Sequence, residues 1–311
     1  MKQIKLGNKI VDDNTLYFIA DIGANHKLSH QSNWEKSVFE VYEDASINKD
    51  WTPILKAECD KVGLDYFTSP YDFESVDLVD PFVELYKIGS GDASWLEIID
   101  YVLGKGKPTL LATGACDLED VKRMMKLALS KTNDIVLMQC NTNYTGSAEN
   151  FKFCNLNVLK TYKEMYPNTI LGLSDHTSGH ATVLGSIALG ARVIEKHFTD
   201  NNDQVGPDHG FAMNPSTWRD MVDRSYELLA ALGDGVKRVE DNEKQAYVVQ
   251  RRCICAASNL KAGHVLSKED LEPLRPIGEG GYQPYELEVL IGKKLKKDIV
   301  FGEHFTKESI V

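Results

Sequence analysis

The chain has 311 residues, 42% hydrophobic and 26% charged, which is the composition of a globular protein with room for one large and one small domain. Its net charge of −11 argues against nucleic acid and anionic membrane as partners, because both require a basic surface. Six cysteines without a CxxC pair, no signal-peptide pattern and no long apolar run predict a cytoplasmic protein with reduced thiols and no membrane span.

The first predicted elements are a hairpin, a strand and a long helical region. Residues 1–15 alternate apolar and polar side chains around Gly7-Asn8, which predicts a β-hairpin. An apolar run predicts a buried strand at residues 16–22, and residues 34–62 are predicted to be helical.

Six more short apolar segments alternate with helical sequence and predict parallel βαβ units. The strands are predicted at residues 64–69, 85–90, 109–114, 135–140, 170–175 and 191–198. The helices are predicted near residues 96–103, 118–129, 156–165 and 215–232. Seven strands are one fewer than a (β/α)8 barrel needs. A doubly wound sheet can hold seven, but Gly23-Ala-Asn-His is not its usual Gly-rich phosphate turn.

A change of pattern near the C-terminus predicts a second domain. We place the barrel domain at residues 1–235, a polar linker at residues 236–250 and a compact β-rich domain at residues 251–311. Within the last domain, residues 260–271 and 299–310 share one pattern of Gly turn, apolar residue and helix start. This internal repeat predicts pseudo-twofold symmetry.

Two histidines follow successive predicted strands and suggest a metal site. His176 and His197 are expected at the C-terminal edge of the sheet, where parallel α/β proteins keep their chemistry. Imidazoles suit Zn, Mn or Fe, and added carboxylates favour harder ions. Asp21 and Asp208 are candidates for oxygen ligands or substrate contacts. The alternative is that one or both histidines are structural residues.

Lys87 is the second chemical signal, because a lysine inside an apolar strand requires an anion nearby. Ser90 follows between two glycines, where backbone N–H groups can approach a phosphate. The structural alternative is a buried ion pair between Lys87 and Asp92. Small polar residues recur at the other strand ends, although turns favour them anyway: Thr68, Ser69, Thr113, Asn141, Thr142, Asn143, Tyr144 and Ser174.

Six motifs, in order along the chain, closely resemble the N-acetylneuraminate (sialic acid) synthase family, which includes legionaminic and pseudaminic acid synthases. They are Ile19-Ala-Asp-Ile-Gly-Ala-Asn-His, Tyr86-Lys-Ile-Gly-Ser-Gly-Asp, Ala112-Thr-Gly, Gly172-Leu-Ser-Asp-His-Thr, Ile194-Glu-Lys-His-Phe-Thr and Gly206-Pro-Asp. The C-terminal region resembles the antifreeze-like SAF domain of the same family.

The resemblance implies a TIM (β/α)8-type barrel followed by a small β-rich SAF domain. It implies condensation of phosphoenolpyruvate with an N-acyl hexosamine such as N-acetylmannosamine. C3 of phosphoenolpyruvate attacks the open-chain aldehyde, water adds at C2, and phosphate leaves. It also implies a divalent metal, Mn2+ or Mg2+, and a domain-swapped homodimer.

The resemblance also assigns site residues. It gives His176 and His197 to the metal, and Arg275 to the N-acyl group in the partner subunit's site. It implies that the phosphate of phosphoenolpyruvate is bound by Lys87, Ser90, Ser69, Ser174 and Thr142. It implies that the sugar or the activated water is contacted by Asp21, Asp92, Tyr144 and Asp208.

Three departures from the family stand out. Asp21 replaces the usual Glu, and Ala112 replaces a usual phosphate-binding Ser. Lys27 runs directly into Leu28, where the family has a helix and a second strand. That βα unit is either omitted from the sequence, deleted, or lost in a natural variant.

Two other functions compete with this prediction. A missing unit is consistent with a catalytically impaired barrel that binds a sugar or serves as a scaffold, although the retained site residues argue against it. A related phosphoenolpyruvate-condensing aldolase acting on a sugar phosphate is the other, and the SAF-like domain with Arg275 argues against that.

Overall fold

The computed structural model describes residues 2–22, 47–144, 146–204, 206 and 208–311. The chain forms two compact units, residues 1–233 and residues 234–311. Three parts of the sequence prediction lie outside the described residues: the Lys27–Leu28 junction, the Gly23-Ala-Asn-His segment and the first part of the helix predicted at 34–62.

The first unit is built on a curled parallel sheet. An antiparallel hairpin of β1 (Ile4–Leu6) and β2 (Lys9–Val11) precedes it, as predicted. The sheet strands are β3 (Tyr17–Asp21), β4 (Tyr86–Ile88), β5 (Thr109–Ala112), β6 (Ile135–Cys140), β7 (Ile170–Asp175) and β8 (Ala191–His197). Their order is β3-β8-β7-β6-β5-β4, and every neighbouring pair is parallel. The fold is therefore a partial barrel.

Alternation along the strands separates two apolar clusters. Alternate residues near the strand starts, including Leu85, Leu110 and Val193, point inward and pack against Ile4 and Leu6 of the hairpin. The other set points outward and packs against the helices. Strands β6 and β7 are buried along their whole length, as expected when both faces of a parallel sheet are covered.

Helices follow the strands, as in other α/β folds. They are α1 (Trp51–Val62), α2 (Phe73–Val79), α3 (Leu96–Leu103), α4 (Leu118–Lys131), α5 (Val158–Met165), α6 (Ala181–Ala188) and α7 (Pro215–Leu232). Side-chain caps begin α4 at Asp117 and α7 at Asn214. None of the helices in the described ranges combines the length and apolar surface that a bilayer span requires.

The strand predicted at residues 64–69 is wrong, so the described sheet has six strands and not seven. Side-chain contacts, and not backbone hydrogen bonds to a neighbouring strand, connect this segment to the rest of the unit. Tyr17 Oη donates a hydrogen bond to Asp65 at 2.8 Å, and Phe67 packs against both apolar clusters. An apolar run predicts burial correctly, but a strand also needs a neighbour in register.

The second unit contains α8 (Lys244–Gln250), β9 (Cys253–Ala256), β10 (Leu271–Leu274) and α9 (Leu287–Leu290). Leu260 and Ile299, the first residues of the two predicted repeats, exchange backbone hydrogen bonds of 2.8 and 2.9 Å. The same repeat relates two further pairs, Ala256 with Leu271 and Leu295 with Ile310. The backbone pairing thus has the predicted pseudo-twofold symmetry.

Candidate active site

The candidate site lies inside the curl, at the C-terminal ends of the strands. Asp21 on β3 is the Cα partner of His197 on β8, and Ser174 on β7 is the partner of Glu195 on β8. Successive strand residues point to opposite faces. The inner face of the sheet therefore carries apolar side chains near the strand starts and polar side chains near the C-terminal ends of the strands.

His176 is fixed in a form suited to bind a cation. Its ring is 5.1 Å from that of His197, measured between centroids, and both residues are buried. The Nδ1 of His176 lies 3.0 Å from the backbone oxygen of Asn141. A carbonyl oxygen only accepts, so Nδ1 carries the proton and Nε2 keeps its lone pair.

The buried ring of His197 makes no hydrogen bond to the residues that the structure describes. Within the described part of the chain, neither of its ring nitrogens has a hydrogen-bond partner. The nearest carboxylate oxygens are those of Asp208, 3.6 Å from Nδ1, and Asp21, 3.8 Å from Nε2, both beyond hydrogen-bond distance. Burial lowers the pKa of His197, which favours the neutral ring that binds metals.

These two imidazoles fit a divalent cation, because a buried ring with unused nitrogens indicates an absent ligand. They do not by themselves complete a site. No set of three or more His, Cys, Asp or Glu side chains in the described ranges is arranged to hold a metal ion. Remaining ligands would have to come from substrate or water, as in open catalytic sites.

Two aromatic rings enclose the histidines. The ring of Tyr144 lies 4.1 Å from that of His176 and 5.7 Å from that of His197. Phe211 contacts His197 from another direction, with 5.3 Å between ring centroids. Tyr144 was expected in the site. Phe211 was not, and nothing in its sequence context singled it out.

Lys87 forms a buried ion pair, but its partner is Glu195 and not Asp92. The Nζ of Lys87 lies 2.5 Å from Oε1 of Glu195, and their side chains are 12% and 6% exposed. Burial opposes both charges. Glu195 and Asp21 nevertheless raise the pKa of Lys87, while Lys87, with help from Ser174, lowers the pKa of Glu195. Lys87 is therefore a cation inside the site.

Asp21 faces this pair from the neighbouring strand. Burial, followed by the charge of Glu195, raises the pKa of Asp21 to about 6. A carboxyl group with a pKa in this range can exchange a proton near neutral pH, as general acids and bases do. The two carboxyl groups of this pocket thus differ in pKa: that of Asp21 is raised and that of Glu195 is lowered.

Ser90, Cys140 and Thr142 converge on Gly114. The Gly114 N–H donates to Oγ of Ser90 at 2.9 Å. A Cβ at Gly114 would lie 1.8 Å from Thr142 Oγ1 and 2.9 Å from both Ser90 Oγ and Cys140 Sγ. Only glycine allows these side chains to approach so closely. Because Ser90 Oγ accepts from Gly114, its own hydrogen can point elsewhere, which suits binding of an anion.

The remaining predicted site residues have fewer contacts with the cluster around Lys87 and the histidines. Ser174 is buried beside Glu195, as its influence on the pKa of that carboxylate shows. Asp92 lies in a 3-10 turn at Ser90–Asp92, and burial raises its pKa. Ser69 is half-buried, and no hydrogen bond in the described residues ties it to the cluster. Arg275 is in the second unit, where its Nε donates to the backbone oxygen of Gln250 at 2.5 Å.

Glu195 is the main site residue that sequence reasoning missed. A signal was present, because Glu195 lies two residues before His197 on one strand and must share its face. Gly114 was quoted only as part of a motif. Its close contacts join strands that are distant in sequence.

The chain matches family models over most of its length. The model of the NeuB family matches residues 13–237, and that of the SAF domain matches residues 251–311. An uncharacterized protein of Methanocaldococcus jannaschii is 30% identical over 328 residues, covering 96% of each chain. Pseudaminic acid synthase of Campylobacter jejuni is 30% identical over 273 residues, covering 87% of this chain and 78% of the synthase.

The fold also matches solved structures. A sialic acid synthetase from Leptospira borgpetersenii, solved with citrate, superposes with a TM-score of 0.70 at 22% identity, covering 79% of this chain and 95% of that one. The alignment with the Methanocaldococcus protein is longer than this chain of 311 residues. That relative therefore contains residues that this chain lacks.

Proposed function

Because the chain belongs to the NeuB family, we propose that it is a nonulosonic acid synthase, an enzyme of sialic acid biosynthesis. The proposed reaction joins phosphoenolpyruvate to an N-acyl hexosamine such as N-acetylmannosamine. C3 of phosphoenolpyruvate bonds to the aldehyde carbon of the open-chain sugar, water adds at C2, and the C–O bond to phosphate breaks. The products are a nine-carbon 2-keto acid and inorganic phosphate.

The observation that carries this proposal is the pair of facing imidazoles. His197 is buried with both ring nitrogens unused by the described residues, and the ring of His176 lies beside it with Nδ1 bound to a backbone oxygen. We assign a divalent metal, Mn2+ or Mg2+, to these two side chains. When bound, it would act as a Lewis acid on the sugar aldehyde.

The anion-binding role goes to the Lys87 side of the pocket. Lys87 supplies a positive charge, and Ser90 and Thr142 supply hydroxyl groups around Gly114. Ser174 and Ser69 are proposed to complete the phosphate contacts. Ala112 donates nothing at the position where relatives usually have serine, so Lys87 carries a larger share of the affinity.

The sugar-binding role goes to the side of the pocket around His197. Asp21 and Asp208 flank the ring of His197, and Tyr144 covers that of His176. With a pKa near 6, Asp21 can accept a proton from the water that adds at C2. Asp92 is proposed to contact the sugar.

We further propose a domain-swapped homodimer. Arg275 is exposed in the SAF unit, where it is available to a second copy of the chain. In this arrangement Arg275 of one protomer binds the N-acyl group in its partner's site. Arg275→Ala should then raise KM for the sugar and leave KM for phosphoenolpyruvate unchanged.

The decisive experiment is a phosphate-release assay with phosphoenolpyruvate, Mn2+ and a panel of N-acyl hexosamines. Phosphate release that depends on both the sugar and the metal is expected. Folded protein that releases no phosphate with any sugar in the panel would contradict the enzymatic function. Sugar binding without turnover would support the scaffold alternative instead.

A further inference from the structure

A second buried ion pair lies on the opposite face of the same sheet. The Nζ of Lys196 is 2.7 Å from Oδ2 of Asp175, and their side chains are 1% and 4% exposed. Lys196 and Asp175 are Cα partners on β8 and β7. Both belong to the outward-facing set, so neither reaches the pocket that holds Lys87 and Glu195.

Two threonines complete the hydrogen bonding of this pair. Lys196 also donates to the backbone oxygen of Thr177 at 2.6 Å. Asp175 accepts from the Thr177 hydroxyl at 2.9 Å and from the Thr182 hydroxyl at 2.6 Å. Thr182 lies in the first turn of α6, so the network joins two strands, one loop and one helix.

The network adjoins both metal-binding candidates in the sequence. Asp175 immediately precedes His176, and Lys196 immediately precedes His197. Fixing the side chains of Asp175 and Lys196 on one face fixes the backbone that presents the two imidazoles on the other. Beyond Asp175 the chain leaves strand β7, so its ladder does not extend to His176.

Stability alone is a poor reason for such a pair. Buried ion pairs can often be replaced by apolar residues of similar volume at little cost. What an apolar pair does not reproduce is the directional hold on the Asp175–Thr177 loop. Metal sites commonly depend on outer groups that orient their ligands.

We propose that Lys196, Asp175, Thr177 and Thr182 form a positioning network that sets the separation of His176 and His197 for metal binding. This inference rests on the proposed function, because it assumes that the two histidines hold the cation. The network is expected to act through the backbone of the two strands and not by contact with substrate or metal.

Thr182 offers the sharpest test, because it can be changed without leaving a buried charge unpaired. Thr182→Val keeps the shape but loses the hydroxyl that donates to Asp175, whereas Thr182→Ser keeps the hydroxyl. Outer groups of metal sites typically contribute about 10- to 100-fold in affinity. For Thr182→Val we expect an Mn2+ dissociation constant about tenfold higher than that of wild type, measured by the EPR signal of free Mn2+. Thr182→Ser should keep most of the wild-type Mn2+ affinity.

Lys107→Met is the matched control for a general loss of stability. Lys107 pairs with Asp80 at 2.7 Å, before strand β5 begins and therefore at the other end of the sheet. Lys107→Met should lower the unfolding midpoint in urea and leave the Mn2+ affinity unchanged.

In activity assays, Thr182→Val should raise the Mn2+ concentration for half-maximal rate about tenfold, with kcat at saturating Mn2+ within about twofold of wild type.

The outcomes separate this inference from the proposed function. Equal Mn2+ affinity in Thr182→Val and wild type overturns the positioning network while leaving the metal assignment intact. A loss shared equally by the Val, Ser and Lys107→Met variants also overturns it, because stability alone then explains the effect. Wild-type protein that binds no Mn2+ overturns the metal assignment and the network with it.

Discussion

The ammonium group of Lys87 lies 2.5 Å from a carboxylate oxygen of Glu195, although the two residues are 108 positions apart in the chain. Both side chains are buried on the inner face of the sheet. A phosphate that binds Lys87 has to share or displace this contact. We therefore expect the pair to affect both the stability of the protein and its proposed affinity for phosphate.

Removing one partner of this pair should be more harmful than removing both charges. Lys87→Met leaves the Glu195 carboxylate buried without its cation, and breaking such a pair typically costs about 3–5 kcal/mol of unfolding free energy. Lys87→Met/Glu195→Gln should recover most of that stability, because no unpaired charge remains. Urea unfolding of the single and double variants measures the difference.

Activity should not follow stability in the same two variants. Both lack the cation proposed to bind phosphate, so kcat/KM for phosphoenolpyruvate should fall about 100-fold in each, near the upper end of what one hydrogen bond to a charged group contributes. A double variant with near wild-type kcat/KM would remove Lys87 from the proposed phosphate site.

The metal assignment predicts a loss of cation binding in His197→Ala. Because His197 is one of two proposed protein ligands, Mn2+ affinity should fall more than about 100-fold, beyond the range of outer-shell changes. His264→Ala, at an exposed histidine that pairs with Asp270 in the second unit, is the control and should bind Mn2+ as wild type does. Unchanged Mn2+ binding by His197→Ala would refute the assignment.

Much of the first unit could be predicted from sequence because local pattern and tertiary packing agree there. Strands β6 and β7 each begin with a continuous apolar run, and the structure places both at the expected positions. The segment at 64–69 has the same apolar character without a ladder. Strand pairing depends on a neighbour that a local pattern does not reveal.

The site divides in the same way. Residues that follow strands were predicted, since parallel strands bring their carboxyl ends to one edge. The partner of Lys87 was not, because proximity in sequence favoured Asp92, whereas the sheet brings Glu195 to the same pocket. Contacts across strands require the strand order, which the sequence does not show.

Gly114 should tolerate no side chain. In Gly114→Ala, the new Cβ would lie 1.8 Å from Thr142 Oγ1, so the three side chains around it must move apart. We expect KM for phosphoenolpyruvate to rise about tenfold or more, the equivalent of losing one or two hydrogen bonds. Gly210→Ala is the matched control, since a Cβ there meets nothing within 4 Å. An equal KM in both variants would contradict the proposed phosphate contacts.

Asp80 should make stability depend on pH. Burial alone would raise the pKa of Asp80, but hydrogen bonds from Lys107 and Tyr86 lower it below its ordinary value. A lowered pKa stabilises the folded protein above the unfolded value of about 3.9, and that contribution is lost as pH falls through the folded pKa. Asp80→Asn should therefore be less stable than wild type at pH 5–7, with the difference shrinking below about pH 4. A difference that stays constant from about pH 7 to 3 would exclude ionisation of Asp80 as its cause.

Asp21 should influence which sugar is used. Its carboxylate ends 3.8 Å from Nε2 of His197. The resemblance to sialic acid synthases implies a longer Glu side chain at this position. In Asp21→Glu the extra methylene extends the carboxylate further into the pocket, which leaves less room beside His197 for the second substrate. We expect the ratio of kcat/KM between N-acetylmannosamine and a bulkier N-acyl hexosamine to change about tenfold, which is the effect of one hydrogen bond or a small steric clash.

KM for phosphoenolpyruvate should stay within about twofold of the wild-type value in Asp21→Glu, because its proposed contacts lie around Lys87 and Gly114. Asp203→Glu, at an exposed position, should change neither quantity. An unchanged sugar ratio in Asp21→Glu would show that Asp21 does not contact the sugar.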